Sequence, residues 1–205
     1  MTQMGIGRRR VLGLCAGLFA TPLAWPRPAV AAAAPTTLSP SLLARAQQAA
    51  QRHRSVIRPS SATAVVDFSA PSHAPRLHLV DLAGGGATAM LVAHGRGSDP
   101  AHTGWARRLS NDPGSHASSS GAYLVDEIYL GRHGRSRRLI GLDAENSNAE
   151  ARGIVIHAAP YVSPAIAETH GKLGRSEGCF ALSAADIGHV LDVLSPGSLL
   201  YASPL

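Results

Sequence analysis

The residues best suited to chemistry lie in the segment Gly174–Phe180, which reads Gly-Arg-Ser-Glu-Gly-Cys-Phe. Gly178 directly precedes Cys179, and a glycine lets the backbone come close to a bound substrate. Backbone N–H groups beside such a cysteine can stabilise a developing oxyanion. A nearby cation such as Arg175 favours the thiolate over the thiol. The segment therefore predicts a nucleophilic cysteine.

A nucleophilic thiol needs a base, and His157 is the best-placed candidate. It ends the apolar run Gly153–Ile156, which is typical of a buried strand, so its imidazole should project from a rigid strand end. The loop between His157 and Cys179 is long enough to bring the two side chains together. A histidine at a strand end is more often structural than catalytic, and its pairing with the thiol favours the catalytic role.

The first 34 residues have the pattern of an export signal. A basic start, Met1–Arg10, is followed by the apolar run Val11–Ala24 and by Ala29-Val30-Ala31, which resembles a cleavage site. The paired arginines at 8–10 favour the twin-arginine route, with an ordinary Sec signal as the alternative. Because the apolar run is shorter than the roughly 20 residues that span a bilayer, we expect a periplasmic protein without stable membrane insertion.

Removal of this leader changes the cysteine count and the charge. Of two cysteines, Cys15 lies in the leader, so the mature protein keeps Cys179 alone and cannot form an internal disulfide. The formal charge of +6 includes four arginines of the leader, and without them 15 basic residues face 13 acidic ones. This small surplus gives no reason to expect nucleic-acid binding.

The remaining chain divides into a helical segment, residues 35–60, and a catalytic domain, residues 61–205. Ser39-Pro40 should begin a helix that runs to His53. We expect a long polar loop over His94–Ser120 and a last helix over Ser183–Leu194. Short β-rich runs predict strands at Ala62–Phe68, Arg76–Leu82, Thr88–Ala93, Ala122–Leu130, Arg137–Leu142, Gly153–His157 and Ser198–Ala202. This pattern predicts a mainly β (α+β) sandwich or barrel with few short helices.

The ten histidines raise the question of a metal. Most of those in polar loops, including His102 and His116, lack the close pairing that zinc ligands show, so a zinc amidase or peptidase is the least favoured alternative. A basic cluster, Arg135–Arg138, is typical of a solvated face, although one of its arginines could bind a substrate carboxylate.

Ile156-His157 followed by Ser176-x-Gly178-Cys179 is similar to the active-site signature of the murein L,D-transpeptidase catalytic-domain family. The resemblance extends from about Val92 to Ala202. Further similar segments are His94–Ser98, Leu109–Asn111, Ser119–Tyr123, Gly131–Gly134, Arg138–Leu142 and Leu173–Ser176.

The resemblance implies a β-rich domain that acts on peptidoglycan stem peptides without a metal or organic cofactor. Cys179 would attack the carbonyl of the third residue of a stem tetrapeptide, typically diaminopimelate, and expel the terminal D-alanine. His157 would accept the thiol proton, and the carbonyl of Ala158 would fix the imidazole tautomer. Gly178 and Cys179 would supply the oxyanion-hole N–H groups. Attack by a second stem's amine gives a cross-link, and attack by water gives carboxypeptidase activity.

Five further positions are assigned to the substrate groove: Arg175, Ser176, His94, His133 and Tyr129. For His94 and His133, structural roles in turns remain an equal alternative.

The chain departs from the family's pattern on both sides of the cysteine. Most members have a histidine where this chain has Glu177, and many have an arginine soon after the cysteine, where this chain has Phe180-Ala181. A carboxylate at Glu177 would by itself disfavour the thiolate. The alternative to an active enzyme is therefore a catalytically degenerate peptidoglycan-binding module.

Overall fold

The computed structural model describes residues 1–2, 37–58, 60, 62–82 and 86–204. Apart from Met1 and Thr2, the export signal predicted for residues 1–34 lies outside the described residues. Residues 32–205 form one compact unit, and residues 1–31 are a separate one. None of the helices in the described ranges is long and apolar enough to cross a membrane.

Eight strands form a single sheet in the order β3-β2-β1-β8-β4-β5-β6-β7. The strands are β1 Ala62–Asp67, β2 Leu77–Asp81, β3 Ala87–Met90, β4 Gly121–Gly131, β5 Gly134–Gly141, β6 Val155–Ala158, β7 Phe180–Leu182 and β8 Leu199–Ser203. The pairs β1–β8 and β6–β7 are parallel, and the other neighbouring pairs are antiparallel.

The two ends of this sheet approach one another, so the sheet is nearly closed. An antiparallel bridge joins Ala93, just beyond β3, to Ala181 in β7, and the N–H of Ala93 donates to the carbonyl of Ala181 at 2.9 Å. A second bridge joins Gly95 to Ser176. The prediction of a mainly β, barrel-like fold with few short helices is confirmed.

In the part of the chain that the structure describes, three α-helices accompany the sheet: α1 Pro40–Arg52, α2 Pro164–His170 and α3 Ile187–Val193. The predicted N-terminal helix therefore exists, and it buries Leu42, Ala46 and Ala49 against one face of the sheet. Short 3-10 turns at Arg96–Ser98 and Ala144–Asn146 interrupt the loops.

The main core surrounds the ring of Phe180, the first residue of β7. Its ring stacks on Phe68 at a centroid distance of 6.0 Å and meets the edge of Tyr123 at 5.4 Å. All three side chains are buried. Because Phe180 follows Cys179 directly, this packing anchors the backbone that carries the thiol.

Several boundaries differ from the prediction for identifiable reasons. Strand β3 ends at Met90 and not at Ala93. Beyond it, the guanidinium of Arg76 donates two hydrogen bonds of 3.1 and 3.0 Å to the Val92 carbonyl, which a strand partner would otherwise use. Helix α3 begins at Ile187 and not directly after Ser183. The Ser183 hydroxyl donates to Asp186 at 2.7 Å and accepts from its N–H at 3.1 Å, so a turn precedes the helix.

Two short elements were not predicted. Helix α2 has only seven residues, although Ser163 caps it by accepting from the N–H of Ile166 and Gly171 ends it in a left-handed conformation. Strand β7 has three residues, too few for a detectable alternating pattern.

Candidate active site

The parallel pairing of β6 with β7 brings the backbones of Cys179 and His157 near one another. Register pairs Ile156 with Phe180 and His157 with Ala181. Cys179 lies in the bend directly before β7, next to Phe180.

The imidazole of His157 is held in one tautomer. Its Nδ1 lies 2.8 Å from the carbonyl oxygen of Ala158, and because a carbonyl can only accept, Nδ1 carries the proton and Nε2 the lone pair. His157 is 2% exposed. Burial lowers the pKa of His157 from 6.5, and the nearby His133 and Arg132 lower it further. The hydrogen bond to Ala158 raises the pKa, but by less than burial lowers it. His157 is therefore neutral at pH 7 and can accept a proton.

Cys179 is half-buried, and its Sγ lies 3.5 Å from the carbonyl oxygen of Gly153. Burial raises the pKa of its thiol, while the N–H of Val155 and the charges of Arg132 and Arg152 act in the opposite direction. The resting pair is therefore a neutral thiol with a neutral imidazole, which requires proton transfer during the attack on a carbonyl.

Two serine hydroxyls stabilise the backbone around the cysteine. Ser176 Oγ donates to the Cys179 carbonyl at 2.7 Å and accepts from the Gly178 N–H at 3.1 Å. Ser118 Oγ donates to the Gly178 carbonyl at 3.0 Å and accepts from the Gly95 N–H at 3.0 Å. Ser176, assigned to the substrate groove, is thus a buried support of the nucleophile loop.

Gly178 has φ +122, and a Cβ there would lie 2.6 Å from the Cδ1 of Ile154. Its N–H, expected to help stabilise an oxyanion, already donates to Ser176. The N–H of Cys179 has no hydrogen-bond partner among the described residues. Of the two expected oxyanion donors, the structure leaves that of Cys179 available.

His94 is buried in the protein interior and does not line the groove to which we assigned it. It is 1% exposed, so its ring cannot reach a peptide. Nδ1 accepts from the Arg76 guanidinium at 2.7 Å, and Nε2 lies 3.5 Å from Asp99 Oδ2 without the alignment of a hydrogen bond. Its backbone carbonyl accepts from the Ser176 N–H at 2.9 Å, so the buried network supports the nucleophile loop.

Arg175 and Tyr129, also assigned to the groove, have other partners. Arg175 donates to the carbonyl of Asp99, and to that of Pro100 at 3.2 Å. The ring of Tyr129 lies under the guanidinium of Arg138 at 4.5 Å, along the β4–β5 hairpin.

His133, at the tip of that hairpin, does lie at the site. Its ring stacks on His157 with centroids 4.2 Å apart. The preceding Arg132 donates from Nε to His133 Nε2 at 3.1 Å. The hairpin therefore brings a histidine against His157, with Arg132 beside it.

The unusual Glu177 is paired with an arginine. Its carboxylate lies 3.0 Å from Arg96 Nε and contacts Nδ1 of His116. Arg96 offsets part of the negative charge, and Glu177 makes the smallest of the contributions that act on the pKa of Cys179.

Sequence reasoning missed Arg132, Arg152 and Ser118. Arg152 donates to the carbonyls of Ser110 and Ala117 and so supports the loop behind Gly178. The only local signals were that Arg132 precedes His133 in a glycine-flanked turn and that Arg152 precedes the strand of His157. Within the described residues, no three His, Cys, Asp or Glu side chains are grouped as metal ligands.

The nearly closed sheet with few short helices defines a β-rich domain, which holds a neutral His157 in β6 and Cys179 directly before β7. The profile of the L,D-transpeptidase catalytic domain matches residues 34–203, and the chain belongs to that family. The family resemblance stated from the sequence is confirmed.

Solved structures that resemble this chain are also L,D-transpeptidases. L,D-transpeptidase 3 from Mycobacterium tuberculosis matches with 14% identity and a TM-score of 0.45, over 70% of this chain and 61% of that one. An L,D-transpeptidase from Mycobacterium smegmatis matches with 14% identity and a TM-score of 0.43, over 70% of this chain and 59% of that one. One from Stackebrandtia nassauensis matches with 14% identity and a TM-score of 0.41, over 77% of this chain and 63% of that one. The chain thus covers less than two thirds of each. A comparison with curated proteins gives no significant match.

Proposed function

We propose that this chain is an exported peptidoglycan L,D-transpeptidase that acts through a thioester on Cys179. The observation that carries the proposal is the parallel pairing of β6 with β7, which brings His157 near the loop that carries Cys179. The tautomer of His157 supports it, because Nε2 is left as the proton acceptor.

The reaction has two balanced halves. The thiol turns from the Gly153 carbonyl toward His157, gives its proton to Nε2 and attacks the carbonyl of the stem's third residue. The C–N bond breaks, the departing D-alanine amine takes the proton from His157, and a thioester remains. An acceptor amine then attacks the thioester and gives a proton to His157, which returns it to the sulfur of Cys179.

Water in place of the acceptor amine would release a free tripeptide, which is L,D-carboxypeptidase activity. The N–H of Cys179 stabilises the oxyanion of both tetrahedral intermediates. Deprotonation by His157 is required in the first half, because the raised pKa of Cys179 leaves little thiolate at neutral pH.

Mass spectrometry of the mature protein with a disaccharide-tetrapeptide tests the proposal, beside Cys179→Ala. Cross-linked dimers formed by the wild type alone indicate the transpeptidase, and tripeptide alone indicates the carboxypeptidase. Binding of the muropeptide without an acyl adduct on Cys179 would instead favour the degenerate binding module.

The proposed location is the periplasm, reached through a twin-arginine signal in residues 1–34. When that pathway is blocked, unprocessed precursor should accumulate. Normal processing under the same block would exclude the twin-arginine route in favour of a Sec signal.

A further inference from the structure

Arg132 is an exposed cation at the tip of the β4–β5 hairpin, beside His133 and His157. Its Nε donates to His133, but neither Nη has a hydrogen-bond or ion-pair partner among the described residues. The His133 ring in turn stacks on His157 at 4.2 Å. The guanidinium is thereby oriented at the hairpin tip, next to the catalytic pair, with two donors facing solvent.

Each of the other described arginines of this region contacts a carbonyl, a carboxylate or a ring of the protein, although several, such as Arg96 and Arg138, leave their terminal nitrogens without a hydrogen bond. Arg152, the second cation whose charge acts on Cys179, donates to the carbonyls of Ser110 and Ala117. The engaged arginines and their partners are Arg96 with Glu177, Arg135 with Asp192, Arg137 with the carbonyls of Asp126 and Leu191, Arg138 with the Tyr129 ring, Arg152 as above, and Arg175 with the carbonyls of Asp99 and Pro100.

A solvent-facing guanidinium beside a nucleophile favours anionic over cationic ligands. An acceptor amine reaches the site with an ammonium form that Arg132 repels, whereas a donor peptide carries carboxylates close to the scissile bond. Arginine also matches the planar carboxylate with two parallel hydrogen bonds.

We propose that Arg132 binds a carboxylate of the donor peptide next to the bond that Cys179 attacks. This proposal rests on the proposed function and adds the group that recognises the substrate. Two carboxylates have this chemistry: the C-terminal one of the departing residue and the one on the diaminopimelate side chain.

The test compares three tetrapeptides: unmodified, amidated at the C-terminus, and amidated at the diaminopimelate carboxylate. kcat/KM is measured for the wild type, Arg132→Gln, Arg132→Lys and the control Arg135→Gln, which removes one charge from the same hairpin. Loss of the Arg132 charge also alters Cys179 and His157, but that effect is common to all three substrates and cancels in their ratios.

The wild type should prefer the unmodified peptide over one of the amides by about 10- to 100-fold, as expected for a hydrogen bond between charged groups. Arg132→Gln should abolish that preference, Arg132→Lys should keep part of it, and Arg135→Gln should keep all of it. The amide that is discriminated identifies the carboxylate. An equal loss on all three peptides, or a preference unchanged in Arg132→Gln, overturns the proposal.

Binding of the same peptides to Cys179→Ala, with and without Arg132→Gln, separates recognition from catalysis. If the wild type turns over no substrate but Arg132→Gln weakens binding of the unmodified peptide alone, Arg132 recognises the carboxylate and the proposed reaction is wrong. If binding does not depend on Arg132, the recognition proposal fails whatever the turnover.

Discussion

Replacing His94 by asparagine should make the free energy of unfolding depend less on pH between pH 7 and pH 4. Burial, together with the charge of Arg76, lowers the pKa of His94 from 6.5 to about 4. The unfolded chain binds a proton near pH 6.5, whereas the folded chain resists it until about pH 4. The free energy of unfolding therefore falls as the pH drops through this window, by about 3 kcal/mol from His94 alone.

Asparagine is the informative replacement because its Oδ1 can take the place of Nδ1 and accept from Arg76, now 2.7 Å away. It does not titrate. The smaller side chain leaves unfilled volume, so the variant should be less stable at pH 7 by about 1 to 3 kcal/mol.

The assay is urea unfolding at pH 7, 6, 5 and 4 for the wild type, His94→Asn and the control His73→Asn, which removes an exposed histidine. The difference between wild type and His94→Asn should shift by about 3 kcal/mol in favour of the variant between pH 7 and pH 4. Other buried histidines act equally in both proteins and cancel. A difference that is constant with pH would refute the buried neutral state of His94.

Three further perturbations test the site and its support. Because burial raises the pKa of Cys179, iodoacetamide should alkylate it more slowly in the folded protein than in urea at pH 7, and faster alkylation in the folded protein would contradict this. Ser118→Ala removes the hydroxyl that bridges Gly95 and Gly178, so we expect a loss of about 1 to 3 kcal/mol in unfolding free energy and a lower kcat. Ser118→Thr keeps the hydroxyl and should lose less of both. An unchanged kcat in Ser118→Ala would refute the supporting role. Phe180→Ala should cost about 3 to 5 kcal/mol in thermal or urea unfolding, and a cost below about 1 kcal/mol would show that its ring does not anchor the thiol.

Local patterns were enough to predict the strand of His157 and most of the sheet. The apolar run before His157 became β6, and the β-rich runs at Ala122–Leu130 and Arg137–Leu142 became β4 and β5, because strand composition and turn residues act within a few positions. The position of Cys179 relative to His157 depends on register, which no local pattern specifies.

The surroundings of the site could not be predicted because they depend on contacts between distant residues. His94 was expected in a groove, yet its burial is set by Arg76 and Asp99. Arg175 was expected beside the thiol, yet backbone carbonyls of another loop bind it. The place of Arg132 likewise follows from how far the β4–β5 hairpin extends, which only the folded sheet determines.

The parallel pairing of β1 with β8 has a consequence for how this chain folds. These strands lie side by side in the interior of the sheet order, with Ala64 opposite Leu200, although most of the described chain separates them. Pairs so distant in sequence are slow to form, and without β8 the sheet is split between β1 and β4. During synthesis, folding should therefore be completed only after Leu199–Ser203 has left the ribosome, leaving a period in which unpaired strand edges need protection from aggregation.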